Sequence, residues 1–360
     1  MNSPAIDGPR ACTPGERPEV VALVDQAMRQ GTGQSMLTDY PRVYRDGNLA
    51  NVFVLRAGGE LASVVPFIPH EVRCADCRFT IGIISPTATA PQHRKQGYAG
   101  RCLDACHQQM ARLGIPLSVL WTKVETFPFY EKGGYQAVRS QGWTYRCDGA
   151  DASRFHDHGQ AVITYQPETG CFLPEIQALH EQAVYGVFRP AEAYSTLFSL
   201  PRMTTLLALE NGRPAAYLTV SRAINKPGLL EAGGSGAAVE TLVHHALATL
   251  DAGESMTAYA NLAPTVLEEV VAAKLPDRRQ PQTAGPMMIR INDAAGFVAT
   301  LSPWLQRQHP TVDPARLAAL PPLSLAALLF GAHPERPVAP PAELAAFTPF
   351  HFPIWMLDHS

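Results

Sequence analysis

Two stretches, "NVFVLRAGGELASVVPFI" (51–68) and "MTTLLALENGRPAAYLTVSR" (203–222), each set apolar runs on both sides of a turn: Gly58 and Gly59 in the first, Asn211 and Gly212 in the second. Turn residues that tolerate positive φ between apolar runs predict a β-hairpin. The same element order surrounds both. A helix is predicted over 18–30, where Val20, Leu23, Val24 and Met28 share one face, and another in "LPEIQALHEQAVYG". After the first hairpin come the strand-like "TIGIISPTATA", a helix in which Ala99, Leu103, Cys106, Met110 and Leu113 recur before Gly114, and the strand "IPLSVLWT". After the second come "GLLEAGG", a helix in "GAAVETLVHHALATL" and the strand "SMTAYANL". The turns are 153 residues apart (211 minus 58), too far for a short-period solenoid. The pattern predicts one α/β unit duplicated and then diverged, and 360 residues leave room for a third, smaller piece.

From about residue 286 the character changes, ending in a Pro-rich stretch and "FTPFHFPIWMLDHS". Phe347, Phe350, Phe352, Ile354, Trp355, Met356 and Leu357 predict a chain end packed inward, since burying each such side chain favours folding by roughly 1.5–3 kcal/mol. The expected fold class is α/β (α+β): two mixed-sheet units in tandem and a small C-terminal α/β domain, divided as 1–150, 151–285 and 286–360. A net charge of -3 provides no general basic field for nucleic acid, so any anion site must be local. The longest apolar run, "LAALPPLSLAALLFGA", is broken by Pro321, Pro322 and Ser324, and the N-terminus has no apolar leader. A soluble cytoplasmic protein without membrane contact is expected.

The seven cysteines form no disulfide framework, and Cys74 and Cys77 make one C-x-x-C with no second pair or histidine to complete a zinc set. Free thiols and no metal are expected. Cys102, Cys106 and His107 read as core, and His156, His158, His244 and His245 as surface or packing residues.

The stretch "QHRKQGYAG" (92–100) sets His93, Arg94 and Lys95 before Gly97 at the start of the predicted helix. A helix N-terminus offers unpaired N–H groups and the positive end of its dipole. Adding Arg94 and Lys95 suits a pyrophosphate; an ordinary basic helix start with a turn glycine is the alternative. The corresponding "LLEAGGSGAAVE" of the second unit has no Arg or Lys, and Glu231 would oppose a pyrophosphate there. The first unit is therefore expected to bind the nucleotide and the second to be scaffold.

This order of strand "PTATA", loop "PQHRKQGYA", helix, strand and "FYEKGGYQ" resembles the GNAT family of acyl-CoA-dependent N-acetyltransferases. Its phosphate motif, Q/R-x-x-G-x-G/A, is matched by Arg94, Lys95, Gln96, Gly97, Tyr98 and Ala99, and its aromatic pair before a charge and a glycine by Phe129, Tyr130, Glu131, Lys132 and Gly133. The tandem layout resembles the enhanced intracellular survival (Eis) type, whose first unit is catalytic, second degenerate and third sterol-carrier-like, here abbreviated. The resemblance implies acetyl-CoA as co-substrate, with Thr87, Ala88 and Thr89 offering backbone groups to the pantetheine arm and Glu125 and Thr126 flanking it. It also implies Tyr130 as the acid that protonates the thiolate, the alternative being an ordinary packing aromatic. The terminal carboxylate on Ser360 is implied as the base or amine-orienting group, with His359 competing. The expected activity is acetyl transfer to a primary amine of a small polycation, an aminoglycoside-like compound or a lysine, by a chain that could form a homo-oligomer. The alternatives are a tandem-GNAT aminoacyl transferase, disfavoured by the lack of a basic surface signal, and a non-catalytic acyl-CoA sensor that needs neither Tyr130 nor a defined C-terminus.

Overall fold

The computed structural model describes residues 4–139, 142–222, 228–261, 265–281, 286–339, 341–344, 347, 349 and 350. The first unit opens with strand β1 (Ile6–Ala11) and helices α1 (Arg17–Met28) and α2 (Met36–Asp39). The predicted hairpin is β2 (Val52–Ala57) and β3 (Glu60–Cys74), followed by β4 (Cys77–Ile84) and β5 (Ala88–Thr89). Helix α3 (Tyr98–Arg112), β6 (Leu117–Trp121), α4 (Phe127–Lys132) and β7 (Gln136–Ala137) follow. Alternation along the strands sorts the core. Val52, Val54, Ile81, Ile83 and Val119 face one side with α1, while Phe53, Leu55, Ile84 and Leu120 face α3 on the other.

Next in the chain is β8 (Gly142–Asp148), and the second unit continues with β9 (Ala161–Thr164), α5 (Leu173–Glu181), β10 (Tyr185–Phe188) and α6 (Ala191–Phe198). The second hairpin is β11 (Met203–Glu210) and β12 (Arg213–Ser221); then come β13 (Gly228–Gly234), α7 (Gly236–Ala248), β14 (Ser255–Asn261), α8 (Val266–Lys274) and β15 (Arg279–Pro281). The chain then enters β16 (Met287–Ile291) and helices α9 (Ala294–Thr300), α10 (Ser302–Gln308), α11 (Pro314–Ala318) and α12 (Pro322–Phe330). Both sheets are mixed, as expected: β4 runs parallel to β6 and β13 to β14, with antiparallel neighbours around them.

Two strands cross between the sheets. Strand β8 lies beside β14 in the second sheet, paired from Ser255↔Asp148 to Asn261↔Gly142. Strand β16 lies between β6 and β7 in the first, paired from Met287↔Trp121 to Ile291↔Leu117. The expected divisions at 150 and 286 therefore do not follow sheet membership: 142–148 serves the second sheet and 287–291 the first. Periodicity could locate these strands but not their partners. Among the described residues after β16 there are helices, a 3-10 turn and an isolated bridge, Val138↔Ala332, and no further sheet. Phe297, Leu305, Leu325, Leu329, Phe330 and Phe350 join the core of the first unit.

A third link is β10, whose Tyr185–Phe188 pairs with Glu71–Cys74 of β3. It is held from the other side by a buried quartet. His180 Nε2 lies 2.7 Å from the Val187 carbonyl oxygen, Arg189 Nη1 donates to Glu231 at 2.8 Å, and the Tyr217 hydroxyl donates to Glu231 at 2.7 Å. Glu231 was expected to oppose a phosphate at the second loop. It is instead in the strand interior, where burial would raise its pKa but Arg189 and His180 hold the carboxyl below its usual range.

A chain ending at residue 285 loses β16 and leaves β6 paired on one side only. It should be recovered as insoluble or unfolded protein, checked by solubility and far-UV circular dichroism; a soluble, cooperatively melting product would show that the first sheet does not need that strand.

Candidate active site

The pairing of β4 with β6 ends at Ile83↔Val119. Beyond it the chain after β4 turns to β3, where β5 pairs through Ser63↔Thr89 and Val64↔Ala88, while β6 continues against β16 as far as Trp121. The two strands thus part, and Thr87 sits at the parting. Ser63 secures one side: its hydroxyl donates to the Ala88 carbonyl at 3.1 Å and lies 2.9 Å from Thr89 Oγ1.

Residues 90–97 then lead into α3. Lys95 has φ 61° and Gly97, the N-cap, has φ 80°, so the loop twice adopts the left-handed conformation that glycine takes most easily. A Cβ at Gly97 would meet nothing within 4 Å; its requirement is conformational. No side chain caps α3, and its first backbone bond is Arg101 N–H to the Gly97 carbonyl at 3.1 Å, which leaves the N–H groups of 98–100 without helical partners. By contrast, Ser235 caps α7 through Ala238 N–H.

A cleft of about 670 Å³ opens against this end. Of the expected cofactor residues, Thr89, Arg94, Lys95, Gly97, Tyr98 and Ala99 line it. It also takes in His93, Gly100, Leu103, Asp104, Phe129, Lys132 and Gly133, which motif matching left out as cofactor contacts because α4 comes beside α3 only in the folded sheet. Arg94, Lys95 and Lys132 face a single carboxylate, Asp104, and none of the three forms an ion pair among the described residues. Arg10, Arg56, Arg154 and Arg336 are all paired. Three cationic side chains without an ion pair thus line the cleft into which the uncapped N–H groups of α3 open, which fits a phosphate-bearing ligand.

Other expected residues lie apart from the cleft lining. Thr87 lies between β4 and β5, Ala88 in β5 and Tyr130 on α4. The Gln96 amide bonds the Gln92 carbonyl at 3.3 Å. Glu125 is exposed in the turn before α4, and the Thr126 hydroxyl bonds the Lys123 carbonyl at 2.7 Å, supporting that turn. Ser360 and His359 lie outside the described residues.

Tyr130 is partly buried on α4. Its ring meets Phe129 edge-on at 4.8 Å and Tyr135 at 5.8 Å, and its carbonyl accepts from Gly133 N–H at 2.8 Å and Tyr135 N–H at 3.2 Å. Behind it, the Tyr135 hydroxyl lies 2.5 Å from Ser118 Oγ and 3.1 Å from His107 Nε2. Burial, with Arg290 nearby, holds His107 down at about 3, so it is neutral. Burial pushes the Tyr130 phenol up and the Thr87 hydroxyl pulls it partly back; the phenol stays protonated at neutral pH. Helix α4 is also tied to the far end of the chain by Arg336, which bonds Glu131 at 2.5 Å and stacks over Phe127 at 5.6 Å.

The second unit repeats the layout without the loop. Strand β13 runs to Gly234, and a single residue, Ser235, separates it from α7. A Cβ at Gly234 would lie 2.2 Å from the Ala215 carbonyl oxygen, so that glycine serves packing. Among the described residues no group of three His, Cys, Asp or Glu could hold a metal ion, and no helix is long and apolar enough to cross a membrane.

Residues 9–138 match the family model described as an acetyltransferase (GNAT) domain. No curated protein matches the chain. Among solved structures, a GCN5-related N-acetyltransferase from Kribbella flavida aligns at TM-score 0.62 and 14% identity, over 82% of this chain and 74% of that one. A probable N-acyltransferase from Enterococcus faecalis V583 gives 0.64 and 16%, over 83% and 74%. Eis1 from Mycobacterium abscessus gives 0.57 and 15%, over 82% and 76%. At these identities the likeness is one of fold, and it extends across both units.

If the phosphate-bearing ligand of this loop is CoA, Gly97→Glu should abolish CoA binding while the protein still melts cooperatively, because it adds bulk, a charge and a left-handed non-glycine residue at the loop. Arg94→Ala should weaken binding less. Calorimetry with CoA checks both, and normal binding by Gly97→Glu would remove the loop from the ligand site.

Proposed function

We propose, from the match of residues 9–138 to an acetyltransferase (GNAT) domain model, that the protein transfers an acetyl group from acetyl-CoA to a primary amine of a small polycation, an aminoglycoside-like compound or a lysine side chain. The observation that carries this reading is the cleft at the N-terminus of α3, where uncapped N–H groups meet the unpaired Arg94, Lys95 and Lys132. In this reading the pyrophosphate lies against residues 94–100 and the pantetheine arm runs along β5 toward the parting of β4 and β6.

Attack of the amine on the thioester carbonyl forms a carbon–nitrogen bond as the carbon–sulfur bond breaks. The sulfur needs a proton, and Tyr130, protonated and fixed by Phe129 and Tyr135, is the donor. The amine must give up a proton; the Ser360 carboxylate is retained as its acceptor on the strength of the family resemblance. The first unit is the catalytic one and the second supplies scaffold. The one-residue connection at Ser235 supports that division, since it offers no phosphate loop.

Release of free thiol from acetyl-CoA against a panel of aminoglycosides, polyamines and lysine peptides tests the activity. Tyr130→Phe should lower kcat by about 10²–10⁴-fold with little change in CoA affinity; wild-type turnover would reduce Tyr130 to a packing residue. Appending a few glycines after Ser360 displaces that carboxylate without removing a side chain and should lower turnover sharply. An unchanged rate would dismiss Ser360 as the proton acceptor.

A further inference from the structure

Most hydroxyls around the parting of β4 and β6 have partners. Ser63 bonds the Ala88 carbonyl, Thr89 bonds Ser63, Tyr135 bonds Ser118, and Thr126 bonds the Lys123 carbonyl. Thr87 is the exception: its Oγ1 is shielded from solvent and makes no hydrogen bond of ordinary geometry among the described residues. A buried hydroxyl without a partner is unfavourable, so its persistence at this position calls for an explanation. Its backbone is constrained on both sides, by Pro86 and by the β5 pairing of Ala88 with Val64. The group that responds to Thr87 is Tyr130, whose phenol it pulls back toward its ordinary acidity against the upward push of burial.

We propose that Thr87 is a positioning residue for Tyr130, donating its hydroxyl proton to the phenolic oxygen so that the phenol's own proton is directed at the departing sulfur. A phenol is both donor and acceptor. With Thr87 filling the acceptor side, the Tyr130 O–H is left to point into the parting of the strands. In the transfer step the carbon–nitrogen bond forms, the carbon–sulfur bond breaks, and the sulfur takes the Tyr130 proton. The resulting phenolate accepts a charge-assisted bond from Thr87, whose proton stays on Thr87, and regains a proton from solvent. This proposal rests on the assignment of Tyr130 as the acid.

The test is steady-state kinetics of the full chain with acetyl-CoA and an accepted amine, for the wild type, Thr87→Val, Thr87→Ser, Tyr130→Phe and the Thr87→Val/Tyr130→Phe double variant. Valine keeps the shape and removes the hydroxyl; serine restores it. Thr87→Val should lower kcat about tenfold with KM for acetyl-CoA within about twofold, and Thr87→Ser should return to within about twofold of wild type. In the Tyr130→Phe background Thr87→Val should cost nothing further. Should Thr87→Val fail to fold, Thr87→Ala is read by the same criteria. An impaired Tyr130→Phe beside a fully active Thr87→Val would overturn the role of Thr87 alone. So would losses that multiply in the double variant, since Thr87 would then act independently of the phenol. A fully active Tyr130→Phe would overturn the assignment of the acid and, with it, this proposal.

Discussion

The reciprocal exchange of β8 and β16 is the constraint on which the molecule depends. Each sheet has a strand, β6 in the first and β14 in the second, whose hydrogen-bonding edge is completed by a segment from the other side of the chain. An edge left open in the interior would expose a row of unpaired N–H and C=O groups. Met288 and Ile289 are fully buried in the first unit, adding roughly 1.5–3 kcal/mol each to the exchange. The link through β10 adds to this. It carries main-chain bonds to β3 of the first unit while Arg189 and His180 hold it to Glu231 of the second. Three strand pairings thus tie the two units together.

The exchange positions the site. Because β16 takes one side of β6 and β4 holds the other only as far as Val119, the end of β6 diverges from the continuation of β4. The Thr87 corner lies where the chain after β4 turns away to pair with β3. The strands β13 and β14 also pair only briefly, through Gly228↔Thr257 and Leu229↔Ala258, so the second unit has the same opening. What differs is the approach to the helix. Eight residues precede α3, enough to turn twice through the left-handed region and expose three N–H groups; one residue precedes α7, and its hydroxyl consumes a donor. One half is thereby equipped for an anion and the other is closed on itself.

Much of this was legible in the residues. The hairpin turns at 58–59 and 211–212, the helix that stops at Gly114 and the strand at 117–121 all fall where periodicity placed them, because apolar alternation and turn glycines are local signals. Arg94, Lys95 and Gly97 were visible as a basic, glycine-bearing loop before a helix for the same reason. Lys132 and Phe129 were quoted as part of a motif, but their place across the cleft from α3 was not readable, since it depends on how α4 packs against the sheet. Glu231 was misread for a related reason: sequence shows a carboxylate near glycines, and only the fold brings Arg189 and His180 to it.

The sequence by itself determined the order of helices, hairpins and strands in each half and the positive loop before one helix, since each element follows from spacing within about twenty residues. Tertiary structure alone decided which strand closes which sheet. Strand β8 lies only a few residues beyond β7 yet serves the other unit, and β16 returns across 166 residues (287 minus 121) to sit beside β6. A β-strand's pattern specifies which face it buries, while its edges offer the same N–H and C=O groups to any partner, so the choice of neighbour is made by packing at long range.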